Sequence, residues 1–202
     1  MMSTVIDKEK ELTNIISLIK NDPLCSGLRK EANQLVFGSG NIDADIIFIG
    51  EAPGKKEDQE GQPFIGAAGK FLDKMLESIG LDRASVYITN IVKYRPPQNR
   101  DPLPQEKEAF LPYLIMQILS IKPKLLVTLG RHAASVFIPN IKIGYEHGIV
   151  KNKRIELNKA KLDLLLLPLY HPAAALYNGS KRQVLFDDFS LIPSILSNKG
   201  IK

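Results

Sequence analysis

At 202 residues, with 44% hydrophobic and 24% charged residues, the chain has the makings of one soluble globular domain with a core of its own. A net charge of +5 fits an anionic partner such as nucleic acid, and a single cysteine, Cys25, excludes an internal disulfide and a cysteine-built metal site. No apolar run approaches the ~20 residues of a membrane span, and no secretory segment opens the chain, so the expected setting is intracellular and cytoplasmic, away from membranes.

The first predicted element is an amphipathic helix over 7–20, with Leu12, Ile15, Ile16 and Ile19 on one face and a stop at Asn21-Asp22-Pro23. A basic segment, Leu28-Arg29-Lys30, leads to Leu35-Val36-Phe37 and a turn at Gly38-Ser39-Gly40. Ile46-Ile47-Phe48-Ile49 reads as a buried parallel strand over 45–50. A long loop, Gly50 to Gly69, leaves its carboxyl end, dense in glycine, proline and acids. Loops of that length without periodicity are more often functional than plain connectors. It enters a helix over 66–79, whose Phe71, Leu72, Met75, Leu76 and Ile79 share one face and whose C-cap falls at Gly80.

A second strand, Val86 to Asn90, is followed by a rigid proline-rich loop, Pro96 to Pro104, and a helix from Gln105 to Ser120 that Pro112 should break or restart. The third strand, Leu125 to Leu129, ends at Gly130 before a short helix over 131–137. Residues 139–160 are basic and irregular, with a hairpin expected around Lys151-Asn152-Lys153. The fourth strand, Leu164 to Pro168, delivers Tyr170-His171-Pro172, and a last helix covers about 181–196.

Strands alternating with helices give an α/β class: a three-layer α/β/α sandwich around a central four-stranded, mostly parallel sheet, with 1–202 as a single domain. Four strand ends then bring Glu51, Asn90, Gly130 and His171 to one edge, where open sheets bind ligands. Asn90 can present a donor and an acceptor to a base edge, and Phe64 can stack on a planar ligand. His171 can donate to charge developing on a leaving group; Glu51 or Glu57 can orient water or offset positive charge. Such parts suit cleavage of a glycosidic bond to a nucleobase. Each also has a plainer reading: the glutamates as caps, Asn90 as a backbone partner, Phe64 as core and His171 as a structural histidine. His132 and His147 carry no such support and are read as structural or surface residues.

Gly50-Glu51-Ala52-Pro53-Gly54, with Glu57-Asp58, Gly61-x-Pro63-Phe64, Gly66 and Ala68-Gly69, resembles the first motif of family 4 uracil-DNA glycosylases. Thr89-Asn90-Ile91-Val92-Lys93, Arg95-Pro96-Pro97 and Asn99-Arg100-Asp101-Pro102 resemble the second block. Pro123-Lys124 through Leu129-Gly130 is similar to the third, and His171-Pro172-Ala173-Ala174 to the last. The resemblance runs in order from Gly38 to Leu176 and implies the sandwich already described. It also implies that uracil is flipped out of DNA and its N-glycosidic bond hydrolysed, leaving an abasic site. On that reading Glu51, Glu57 and His171 are catalytic, with Glu51 placing the water. Ala52, Gly54, Phe64 and Asn90 bind uracil. Lys93, Arg95, Arg100, Lys181 and Arg182 contact phosphates, and Leu176 wedges into the duplex. The partner is uracil-containing DNA, engaged by a monomer.

The family's four-iron, four-sulfur cluster uses four cysteines, and here the corresponding places hold Pro23 and Ser26, then Tyr94 and Phe110, with Cys25 the one nearby thiol. No cluster, no other cofactor and no metal are therefore expected, and apolar packing should fill the place. This leaves open a divergent glycosylase with a shifted preference among deaminated bases, or a non-catalytic uracil- or DNA-binding module. A phosphate-binding loop fits poorly, since the order G-x-x-x-x-G-K-S/T is missing and the loop carries acids.

Overall fold

The structure, a computed structural model, describes residues 2–197, with side chains over 7–197. The chain opens with α1 (Met2–Asn21), a 3₁₀ turn (Pro23–Cys25), α2 (Ser26–Glu31) and a two-residue strand β1 (Ser39–Gly40). It continues through β2 (Ile46–Gly50), α3 (Lys55–Glu60), α4 (Ala67–Ser78) and β3 (Tyr87–Asn90). A second 3₁₀ turn (Pro97–Asn99) precedes α5 (Pro104–Ile121), β4 (Leu125–Leu129), α6 (Arg131–Phe137) and α7 (Ile143–Glu146). The hairpin β5 (Lys151–Leu157) and β6 (Ala160–Leu169) leads into α8 (Ala174–Tyr177), α9 (Ser180–Ser190) and α10 (Ile192–Ser197).

The sheet has six strands in the order β1-β3-β2-β4-β6-β5, where four were expected. The four expected strands form its parallel centre, and β1 and β5 add antiparallel edges. Both edges hide from periodicity for physical reasons: β1 is too short to alternate, and β5 is a half-exposed basic strand. The hairpin turns at Asn158-Lys159, with Asn158 at φ 55°, not at Lys151-Asn152-Lys153, which lies within β5 opposite Leu164 to Leu166.

Alternation within each central strand feeds two cores. Ile47 and Ile49 of β2 pack with Ile15, Leu114 and Ile118 from α1 and α5 on one face. Ile46 and Phe48 pack with Leu72, Met75, Leu185 and Phe189 from α4 and α9 on the other. Three layers result, as expected. Pro112 leaves α5 unbroken: it sits on the exposed side, where the loss of one helical hydrogen bond is outweighed by the buried Phe110, Leu114 and Ile118. The last helix is instead two, with Pro193 in the first turn of α10, where no backbone donor is needed. Gly80 lies one position past the α4 C-cap at φ 73°; its N–H bonds Glu77 O and the Leu81 N–H bonds Leu76 O, closing the helix as a Schellman motif.

Registers Ile49↔Thr89, Gly50↔Asn90 and Ile49↔Thr128 align the carboxyl ends of β2, β3 and β4, and Thr128↔Pro168 adds β6. From neighbouring strands β2 and β4 the chain turns to helices on opposite faces, α4 and α6. That divergence opens a crevice at the sheet edge.

Candidate active site

A cleft of about 580 Å³ occupies this edge, floored by Glu51 to Gly54, Phe64 and Asn90 and walled by Arg100, Asp101, His171 and Tyr177. The loop after β2 is not structureless: α3 folds within it and presents Glu57 to the same cleft. Glu57 Oε1 accepts from the N–H groups of Ile65 (3.0 Å) and Gly66 (2.8 Å), the latter the N-cap of α4. Asp58, buried on the other side of α3, accepts from Asn33 N (2.9 Å) and Nδ2 (2.6 Å) and anchors the loop to the segment after α2.

Between these braces Phe64 adopts φ 55°, left-handed backbone that an aromatic residue rarely takes. Arg83 holds it there: its guanidinium donates to Pro63 O (2.6 Å) and Phe64 O (2.8 Å) and pairs with Asp73 Oδ1 (2.9 Å). Glycine at 69 is a steric need, since a Cβ there would strike the Phe64 carbonyl. A Cβ on Gly50 would come within 2.5 Å of the Phe64 ring and collide with Asn90 Oδ1. Sequence reasoning missed Arg83 and Asp73, because a clamp spanning 19 residues leaves no local pattern. Arg83→Ala is expected to destabilise the fold by about 1–2 kcal/mol in urea unfolding. It should also raise amide exchange at Ile65 and Gly66; unchanged exchange there would show that Glu57 alone holds the turn.

Three side chains give the cleft its chemistry. Asn90 is 1% exposed, and its Oδ1 has no hydrogen-bond partner among the described residues, a buried acceptor facing the cleft. The His171 ring lies 5.6 Å from the Phe64 ring, and its Nδ1 accepts from Ala173 N (3.1 Å). That bond puts the ring proton on Nε2. Burial lowers the His171 pKa to about 4, so the imidazole is a neutral donor at physiological pH. Burial first, and Asp101 second, raises the Glu51 pKa to about 7, so Glu51 titrates in the working range.

The structure brings Glu51, Glu57, His171, Ala52, Gly54, Phe64, Asn90 and Arg100 to one cleft. Lys93 is a correction. It is fully buried, its Nζ bonded to Thr89 Oγ1 (2.6 Å), Asn90 O (2.9 Å) and Gln117 Oε1 (2.5 Å), and burial holds its amine well below the ordinary lysine range. It cannot reach a phosphate and instead braces the strand end that carries Asn90. The phosphate role came with the resemblance; the packing of α5 against Lys93 was not visible in sequence. Arg95 bonds Asn99 Oδ1 (2.7 Å), and Arg100 is held bidentate by Glu106 (2.6 and 2.8 Å). Lys181 lies over the Tyr170 ring at 4.0 Å, and Arg182 over Phe71 at 5.5 Å. Leu176 is 43% exposed beside Tyr177, which is 90% exposed at the cleft wall and went unremarked in the sequence.

The residues standing where a cluster would need thiolates do not fit one. The chain has one cysteine against the four that such a cluster takes. Tyr94 and Phe110 pack edge to face at 6.1 Å within the core that also holds Cys25. Burial, then Asp22, raises the Cys25 pKa to about 12, the reverse of a ligating thiolate.

Comparison with known proteins bears on this site directly. The model of the uracil DNA glycosylase superfamily matches residues 37–190, from just before β1 to the end of α9. The chain is 48% identical over 176 residues to the type-4 uracil-DNA glycosylase of Saccharolobus solfataricus, an alignment covering 86% of this chain and 82% of that one. It is 41% identical to the type-4 enzyme of Archaeoglobus fulgidus, covering 94% and 96%, and 36% identical to that of Thermotoga maritima, covering 95% and 98%. A match that takes in every strand of the sheet and every side chain of the cleft leaves one conclusion: the chain belongs to the uracil DNA glycosylase superfamily.

Proposed function

We propose that the chain is a monofunctional uracil-DNA glycosylase that acts in base excision repair, and that it does so without an iron–sulfur cluster. The observation that carries this is Asn90 Oδ1, buried and without a partner among the described residues, in one cleft, with Phe64 and a neutral His171, that has room for a nucleobase and its sugar. A flipped uracil stacks on Phe64; its N3–H donates to Asn90 Oδ1 and its O4 accepts from the amide nitrogen. Backbone groups of Ala52 to Gly54 complete the pocket. As the bond from C1′ to N1 breaks, its electron pair goes to the uracil ring, and His171 Nε2–H donates to the charge growing on O2. Uracil leaves as the anion. Glu51, as a carboxylate, accepts from the attacking water whose oxygen bonds C1′, while its charge offsets the oxocarbenium-like sugar. Glu57 supports from behind by fixing the Phe64 turn.

At the cleft wall Arg100, and outside the cleft Arg95, Lys181 and Arg182, serve phosphates, and Leu176 enters the space the base vacates. The chain is read as one domain working as a monomer on DNA inside the cell; the two cores on one sheet support the single domain. Incubating the full chain with a uracil-containing oligonucleotide should yield free uracil and an alkali-labile abasic site. Tight binding without base release would overturn the enzymatic reading in favour of a binding module.

A further inference from the structure

Glu51 Oε1 is buried and accepts no hydrogen bond among the described residues. Beside it stands His132, expected only as a structural or surface residue. His132 Nε2 lies 3.9 Å from Glu51 Oε1 and 3.2 Å from Asp101 Oδ2. The three groups come from separate places: the end of β2, the loop after the 3₁₀ turn 97–99, and the second residue of α6. An imidazole is thus lodged between two carboxylates at the mouth of the cleft. A buried carboxylate oxygen without a partner is unfavourable, and hydrogen bonds that are long in a free enzyme often tighten when substrate excludes water.

We infer that His132, whose Nε2 faces Asp101 in the free protein, is a positioning residue that turns that donor to Glu51 Oε1 when DNA closes over the cleft, leaving Oε2 to place the attacking water. The inference rests on the glycosylase reading above. Donation to Oε1 favours the ionised carboxylate, and an imidazolium would favour it further. His132 therefore extends activity to lower pH. The remaining charges facing the pair are set on both sides. Asp101 raises the pKa of Glu51 and of His132, while Arg131, with Nη2 3.3 Å from His132 Nε2, and Lys107 lower both. Burial is the first cause for each group and opposes charge on either, so a partner for Oε1 has leverage.

The test is single-turnover uracil release by the full chain from about pH 5 to 9, comparing wild type with His132→Gln and His132→Ala. Alanine is expected to move the acid limb upward by about half to one pH unit, and glutamine, which keeps a donor, by less. Glutamine should keep most of the plateau rate because it keeps a donor, whereas alanine should lower it about tenfold. DNA affinity should be unchanged in both. A brace with a merely structural role would not move the acid limb. A second readout needs no turnover: the ring-nitrogen NMR titration of His132 should shift in Glu51→Gln. An active enzyme whose acid limb ignores both variants, or a His132 titration indifferent to Glu51→Gln, would overturn the role of His132 alone. A wild type that releases no uracil at any pH would overturn the glycosylase reading itself, a distinct result.

Discussion

His171→Ala is expected to slow single-turnover uracil release by about 100- to 1,000-fold while leaving DNA affinity within about threefold. In the proposed mechanism the ring contributes where charge develops, on the departing base, and little to holding the DNA backbone. Its neutral state is part of the expectation. With Nδ1 occupied by Ala173 N–H and a pKa near 4, Nε2 carries the only proton, so the rate should not fall as pH rises from about 5 to 8 on account of this residue. Stability gives an independent check. A histidine whose folded pKa falls from 6.5 to about 4 binds fewer protons in the native state than unfolded across that window. Stability from this group is full above 6.5 and is lost as pH falls towards 4, by about 2–3 kcal/mol. Wild type should lose more stability than His171→Ala on acidification. Equal losses, or a variant with near wild-type release, would remove His171 from the leaving-group role.

How much of this could be read in the sequence depends on the range of each interaction. The strands β2 and β4 and the carboxyl half of β6 are apolar on both faces and β3 is buried throughout, so their place at the centre of a parallel sheet was legible, and with it the edge where Glu51, Asn90 and His171 meet. The edges β1 and β5 were not, because one is two residues long and the other is stabilised by pairing rather than by burial. Glu51, Glu57, Phe64, Asn90 and His171, each inside an ordered motif, line one cleft. Groups that act by reaching across the fold were missed: Arg83 on the Phe64 turn, Gln117 on Lys93, Asp101 on His132. Lys93 shows the converse error. A lysine in a basic run reads as solvated until a helix is found lying over it. His132 had one usable signal, its position just past the end of β4, equivalent to that of His171 past the end of β6.

Glu51→Gln should lose about 100-fold or more in single-turnover release at pH 8 and yet be the more stable protein there. The rate loss follows from the role: an amide cannot take a proton from water or offset the charge on the sugar. The stability gain follows from burial. Glu51 has a folded pKa raised from 4.5 to about 7, so between those values the native state binds more protons than the unfolded chain. Stability therefore falls as pH rises through that window and is level above it. With the side chain 23% exposed, the loss is about 2 kcal/mol, which glutamine would escape. Glu51 and His171 thus tilt stability in opposite directions between about pH 4.5 and 6.5, and the wild-type curve hides both. Differences between each variant and wild type separate them: the Glu51→Gln gain should grow with pH, and the relative benefit of His171→Ala should grow as pH falls. A Glu51→Gln protein that keeps wild-type release would take the water from Glu51. A stability difference that does not vary with pH would mean that its carboxyl is solvated in the folded state, against the burial that defines the cleft.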